Sequence, residues 1–306
     1  MLTTYLRVST LASQSLWLDE IYAEYFTNSD FITTARRIIA PEHNGPLYFL
    51  LLWGWRQLAG SSDFALRFLS VICSILTLAP LWQLARQWFN KRIAGYAALL
   101  WAIAPFSIWY AQEAKMYALH ILLATSTTLF LARALKYNQW RWWIAYGIGI
   151  NLLGYSHFFG AFTIAAHGVL TLLTTWKTPR ILRNYLLTIA LVALPYIPIV
   201  RFVLRILPHF SSQDITKGFV PFHLILKDMG IEFTMRLSML LLVPAWRLLI
   251  PLAIMLSFGL LTAWRRGKIQ GLWLVGMLTL PVLFFYPVSY QIPVYSAKYF
   301  SAMFPF

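Results

Sequence analysis

Eight stretches of this chain are apolar for long enough to cross a lipid bilayer, and nothing else in the sequence narrows the possible folds as much. A hydrocarbon core about 30 Å thick takes roughly 17–25 helical residues. The stretches lie at about 65–85, 93–110, 115–134, 142–157, 159–176, 184–204, 237–262 and 271–287. In lipid every backbone polar group must find its partner inside the protein, so stretches of this length cross as helices. Pro80, Pro105, Pro195, Pro198, Pro244, Pro251 and Pro281 lie in or beside them. There, neighbouring helices can re-satisfy the carbonyls that proline frees.

Composition agrees. The chain is 59% hydrophobic and 11% charged, against about a quarter charged in ordinary soluble domains. The expected fold is an all-α polytopic membrane protein with about eight crossings, multi-pass in the inner (plasma) membrane, with the lipid bilayer as its solvent. A formal charge of +15 would suit nucleic acid. However, the Lys and Arg residues cluster in short segments between apolar runs, which is how membrane topology is written, so no nucleic-acid partner is expected. Cys73 stands alone, which rules out a disulfide framework or a thiolate metal cluster within one chain.

The connections alternate in charge. "RQWFNKR", "RALKYNQWR", "WKTPRILRN" and "WRRGK" follow the first, third, fifth and seventh stretches. "YAQEAK", "GYSHFFG" and "YPVSYQIPVYSAK" fall between or after the others. By the cytoplasmic bias of Lys and Arg the first set faces inside and the second outside. Residues 1–64 then form an extracytoplasmic segment with short amphipathic surface helices, and residues 65–306 form the transmembrane helical domain. "NSDFITTARRII" offers an N-cap at Ser29 or Asp30, and "PEHNGPLYFLLLWGWRQLAG" a turn at Asn44-Gly45-Pro46 followed by a short apolar helix. Residues 1–16 hold neither a signal-peptide core nor a span, so a further span is expected ahead of them.

On that outer face sits "QSLWLDEIYAEYF", which places Asp19, Glu20 and Glu24 within six positions of a chain with only ten acidic residues. Acids in a first helical turn can simply complement the helix dipole. Here Trp17, Leu18, Ile21, Tyr22, Tyr25 and Phe26 surround them, and ionised carboxylates in such surroundings need a cation, a metal or a substrate. Glu113, in "SIWYAQEAKMYAL", is the only acid between Asp63 and Asp214. It either pairs with neighbouring Lys115 or marks a site, with Tyr117 one helical turn on. His43, beside the Asn-Gly-Pro turn, and His157, in the outer hairpin, are either boundary residues or part of a substrate cleft. Lys298, beside Tyr299, either snorkels or meets a lipid phosphate, as does Arg67. No phosphate-cradling Gly-rich loop, HExxH or GxSxG is present. Any donor substrate therefore arrives from the bilayer.

Four stretches taken together, "SLWLDEIYAE", "HNGPLYFLLLWGWRQLAGSSDFALRFLS", "WYAQEAKMYAL" and "AKYFSAMFP", resemble the GT-C type membrane glycosyltransferases. The similarity is greatest to glycosyltransferase family 39, the protein-mannosyltransferase-like and aminoarabinose-transferase-like enzymes. The resemblance implies a GT-C-like helical bundle that transfers a sugar from a polyprenyl-phosphate-linked donor to an acceptor lipid, glycan or protein on the extracytoplasmic face. It implies that Asp19, Glu20 and Glu113 are catalytic, and that Lys298, Tyr299, Lys115 and Arg67 approach the donor phosphate. His43, Tyr117 and His157 would line the cleft. No obligatory cofactor follows from it, and a divalent metal remains open. Members usually begin with a full span before the acidic motif and continue with several spans after the basic-aromatic pair, so the resemblance also implies a chain cut at both ends. A lipid-linked-sugar flippase and an inactive fragment of a glycosyltransferase are the alternatives.

Overall fold

A computed structural model describes residues 1–39, 45–197, 220–241, 244–290 and 295–306. Regular structure among them is helical. The helices are α1 (Leu2–Val8), α2 (Leu18–Thr27), α3 (Phe31–Ile39), α4 (Pro46–Ala59), α5 (Asp63–Leu76), α6 (Leu78–Trp88), α7 (Lys91–Ile103) and α8 (Pro105–Ala111). There follow α9 (Tyr117–Tyr137), α10 (Trp140–Ser156), α11 (Gly160–Thr175), α12 (Pro179–Ala193), α13 (Phe222–Leu241), α14 (Ala245–Arg266) and α15 (Lys268–Val288). A 3₁₀ helix over Ala297–Met303 comes near the end. Among the described residues Asp63–Trp88, Tyr117–Tyr137, Arg247–Arg265 and Lys268–Val288 are long and apolar enough to cross a membrane. Lys91–Ile103 and Pro105–Ala111 together make a fifth, bent by 56°. The protein is an all-helical polytopic membrane protein.

Proline sets the breaks. Pro80 has no N–H to offer Leu76, four residues back, and the helix is interrupted at Thr77, between α5 and α6. Ala104, held in an extended conformation (ψ 122°) by the proline that follows it, makes the bend between α7 and α8. The expected crossing at 237–262 is corrected: α13 runs to Leu241, and a new helix begins at Ala245 after Pro244. The stretch expected as a plain outer connection, 205–236, carries most of α13 from Phe222 onward. At 17 and 16 residues, α10 and α11 are short for crossing helices, about 25 Å long at 1.5 Å per residue.

The chain packs as two compact units. The first is Met1–Leu129 with Leu152–Gly160 and Pro305; the second is Phe130–Asn151 with Ala161–Phe304 and Phe306. In the first unit α1 packs on α5, α7 and α8, and α2 and α3 pack on α4. Its core includes Ala23, Phe26, Phe49, Leu52, Leu66 and Val71, with the Phe26 and Phe49 rings meeting edge to face at 5.6 Å. Arg7 is fully buried. Its guanidinium donates to the Trp101 and Ala102 carbonyls (both 3.0 Å), to Ser74 Oγ (2.8 Å) and to Ser107 Oγ (2.9 Å). Those carbonyls are at the C-terminal end of α7, where helical partners run out and positive charge is favoured.

The second unit buries Trp143, Tyr146, Ile150, Tyr185 and Phe300. Its internal contacts include neutral hydrogen bonds and the Arg133 guanidinium over the Trp142 ring, 4.5 Å from its centroid. Asn138 Oδ1 accepts from Trp143 Nε1 (3.0 Å) and Asn184 Nδ2 (2.9 Å), and the Tyr196 hydroxyl donates to the Ile150 carbonyl at 2.7 Å. The Tyr146 hydroxyl and His167 Nδ1 lie 3.4 Å apart.

Candidate active site

The acidic stretch of α2 resolves into three carboxylates with three different cations. Glu20 is buried to 1% exposure and takes a two-pronged grip from Arg67 of α5, Nε to Oε1 at 2.8 Å and Nη2 to Oε2 at 2.6 Å. The Ala114 N–H donates to Oε1 at 2.8 Å, and the Trp17 N–H reaches Oε2 at 3.3 Å. Arg67 also donates through Nη1 to the Leu11 and Gln14 carbonyls and through Nη2 to the Ser15 carbonyl. A guanidinium has five N–H donors, and all five are used.

Glu24, one turn further along α2, faces Arg56 of α4 at 3.4 Å. Arg56 also donates to the Glu24 carbonyl and to Thr27 Oγ1, tying down the end of α2. Asp19 differs from Glu20: its Oδ1 lies 3.9 Å from Lys115 Nζ, and its side chain keeps a third of its surface exposed, as does that of Glu24. Of the three carboxylates, Glu20 is sealed and Asp19 is reachable. Between helix positions 19 and 20 the side-chain direction turns by about 100°, since 3.6 residues complete a turn.

Lys115 and Glu113 belong to the non-helical bend Gln112–Met116 between α8 and α9. Three of its residues, Gln112, Ala114 and Lys115, bond to other elements. Gln112 Nε2 donates to the Arg7 carbonyl (3.1 Å) and to Thr10 Oγ1 (2.9 Å) at the end of α1; the Ala114 N–H is held by Glu20; the Lys115 carbonyl accepts from Ser70 Oγ at 3.2 Å. Glu113 is buried at 5% exposure. Two residues span at most about 7 Å of chain, so Glu113 and the Asp19–Lys115 pair share one neighbourhood. The buried Tyr48 phenol of α4 reports the same arrangement. Burial pushes its pKa up, and the charges of Glu20 and Glu113 push the same way, against the lowering effect of the Ser70 hydrogen bond.

Tyr117 and His157 are both buried. The Tyr117 ring lies 5.0 Å from Tyr110 and 6.1 Å from His157, and His157 lies 5.1 Å from His120. The Phe159 N–H donates to His157 Nδ1 at 3.1 Å, and His120 Nδ1 lies 2.9 Å from Ser156 Oγ. Gly45, at φ 87°, is the N-cap of α4 ahead of Pro46. A side chain there would put its Cβ 2.6 Å from the Ser156 carbonyl oxygen and 3.1 Å from Met116. His43 lies outside the described residues. Lys298 and Tyr299 belong to the second unit, on the 3₁₀ helix Ala297–Met303.

The structure thus brings Asp19, Glu20, Arg67, Glu113, Lys115, Tyr117 and His157 into the first unit. It adds Tyr48, Ser70, Gln112 and His120, which the sequence reading passed over. Ser70 is three residues past Arg67 on one helical face, and His120 three past Tyr117, spacings that place side chains together. For Arg67 the geometry departs from expectation: with every N–H engaged by Glu20 and three carbonyls, nothing is left for a phosphate. Glu20, with two donors on each oxygen, is likewise fully occupied. Among the described residues no three His, Cys, Asp or Glu side chains gather where a metal ion could be held.

An all-helical membrane protein with acids and cations collected at the bend after α8 defines the class. Residues 43–201, just over half of the chain, match the dolichyl-phosphate-mannose-protein mannosyltransferase family, and the chain belongs to that family. Its fold is similar to that of ArnT from Cupriavidus metallidurans in the apo state, with 15% identity and a TM-score of 0.66 over 98% of this chain and 55% of that one. It is similar also to ArnT from the same organism bound to undecaprenyl phosphate, with 16% identity and a TM-score of 0.67 over 99% of this chain and 56% of that one. The chain spans a little over half the length of these structures. No curated protein matches it significantly.

Proposed function

We propose that this chain is a glycosyltransferase, or the site-bearing part of one, that moves a sugar from a polyprenyl-phosphate carrier to an acceptor on the extracytoplasmic face. The observation that carries the reading is the contrast within α2, where a sealed carboxylate, Glu20, holds the bend while its half-buried neighbour Asp19 faces Lys115. Family membership supports the reaction class. The lipid in the second ArnT structure supports a polyprenyl phosphate as the donor's carrier.

Asp19 acts as the base. As the acceptor's nucleophilic atom bonds to the anomeric carbon, its proton passes to the Asp19 carboxylate. The bond from that carbon to the phosphate oxygen breaks, and its electron pair leaves with the polyprenyl phosphate. Glu113, buried beside the pair, faces the positive charge that grows on the sugar carbon. Lys115 meets the negative charge that grows on the phosphate, an interaction that strengthens in the transition state; Lys298 and Tyr299 are donor-phosphate candidates on the family resemblance. Glu20 and Arg67 hold the bend rather than touch substrate. His43, Tyr117 and His157 remain candidates for the cleft wall. The charge alternation of the loops supports the extracytoplasmic side.

The test is transfer from a polyprenyl-phosphate sugar in proteoliposomes. Glu113→Gln should cut turnover at least about a hundredfold, in the range that groups facing transition-state charge supply, without loss of folded protein; wild-type turnover would remove Glu113 from the mechanism. Lys298→Ala should raise the donor KM more than it lowers yield, and an unchanged donor dependence would leave Lys298 a bystander. For the side, Cys73 is buried and can be replaced by Ala. Single cysteines at 113 and 266 should then label from opposite faces; labelling of both from outside would overturn the orientation.

A further inference from the structure

Lys115 is held at both ends, its ammonium beside Phe49 of α4 and its carbonyl by Ser70 of α5. Its ammonium lies 5.9 Å from the centroid of Phe49 and 3.9 Å from Asp19 Oδ1. Its carbonyl accepts from Ser70 Oγ, which in turn lies 2.9 Å from the Tyr48 hydroxyl. Ser70 has one proton, and it goes to the Lys115 carbonyl, so the Tyr48 O–H must be the donor into Ser70. The chain of bonds therefore has one direction: Tyr48 O–H to Ser70 Oγ, then Ser70 O–H to the Lys115 carbonyl.

Both hydroxyls are buried, Tyr48 and Ser70 each at 0% exposure. A buried hydroxyl in apolar surroundings is costly unless bonded, and phenylalanine and alanine would fill nearly the same space. What the two oxygens add is direction. They fix the backbone of a non-helical residue whose side chain ends beside the half-buried Asp19 carboxylate.

We propose that Tyr48 and Ser70 are positioning residues, a two-hydroxyl relay that sets where the Lys115 ammonium stands relative to Asp19. The consequence for catalysis rests on the glycosyl-transfer reading above; the consequence for the bend does not. With the full chain in proteoliposomes and a polyprenyl-phosphate sugar, Tyr48→Phe and Ser70→Ala should each lower kcat about tenfold, because small misplacements of reacting groups are costly. Donor KM should stay within about twofold, as for a contact that matters only in the transition state. Ser70→Thr, which keeps the hydroxyl, should restore kcat. In parallel, hydrogen exchange at the Gln112–Met116 amides should quicken in Tyr48→Phe and Ser70→Ala and not in Ser70→Thr. An unchanged kcat in both variants, a loss lying in KM, or an equal loss in Ser70→Thr would overturn the proposal. Should the wild-type chain transfer no sugar, that failure belongs to the functional reading, and exchange alone decides. Quickened exchange confined to the bend supports the relay; unchanged exchange overturns it.

Discussion

The two compact units meet the same difficulty, polar groups in an apolar chain, in different ways. The first unit uses full charges: Glu20 with Arg67, Glu24 with Arg56, Asp19 with Lys115, and Arg7 on the open end of α7. In the second, helices are also joined by neutral hydrogen bonds, such as Asn138 with Asn184 and Tyr196 on a carbonyl of α10. Buried ions are a poor way to gain stability, since desolvation offsets much of their attraction. They are a good way to fix a geometry, because a carboxylate and a guanidinium accept few arrangements. The first unit, held by these ion pairs, is the one that presents Asp19, Glu113 and Lys115 together.

That contrast can be broken at several points, beginning with the largest effect. Arg67→Met leaves Glu20 buried and unpaired, and should cost about 3–5 kcal/mol, seen as a loss of folded protein in detergent. Adding Glu20→Leu should regain much of that stability while leaving the bend unheld; a double variant no better than the single one would mean that Arg67 is needed for its carbonyl contacts instead. Arg7→Met removes charged hydrogen bonds from the end of α7 and should cost about 2 kcal/mol, read as a lower unfolding midpoint. In the second unit Tyr146→Phe should cost only about 0.6 kcal/mol, the usual value for hydrogen bonds between membrane helices. A Tyr146 effect as large as that of Arg7 would erase the distinction between the units.

Much of the fold was legible before the structure because a membrane imposes a simple rule on apolar length, and the stretches from 65 to 134 carry it clearly. The rule misjudged 237–262, where Pro244 divides what hydropathy alone joins. The site was legible by residue type and not by role. Asp19 and Glu20 are adjacent and chemically alike, and only tertiary structure reveals that one points at Arg67 and the other at Lys115. Arg67 read as a phosphate ligand because its charge is visible in the sequence and its committed N–H groups are not. Ser70 and Tyr48 escaped notice because a buried hydroxyl looks ordinary until its acceptor is known. Asp30 was easier: its carboxylate accepts from the Ile32 and Thr33 amides, the N-cap that local spacing had offered.

The central claim is that neighbouring acids divide the work, Asp19 for chemistry and Glu20 for architecture. The most direct test makes the same change at both, Asp19→Asn and Glu20→Gln, and measures unfolding midpoint and sugar transfer on each. The account predicts that Asp19→Asn keeps a wild-type midpoint and loses turnover by a factor of about a hundred or more, while Glu20→Gln loses its midpoint first. Full turnover in Asp19→Asn, or an unchanged midpoint in Glu20→Gln, would contradict it.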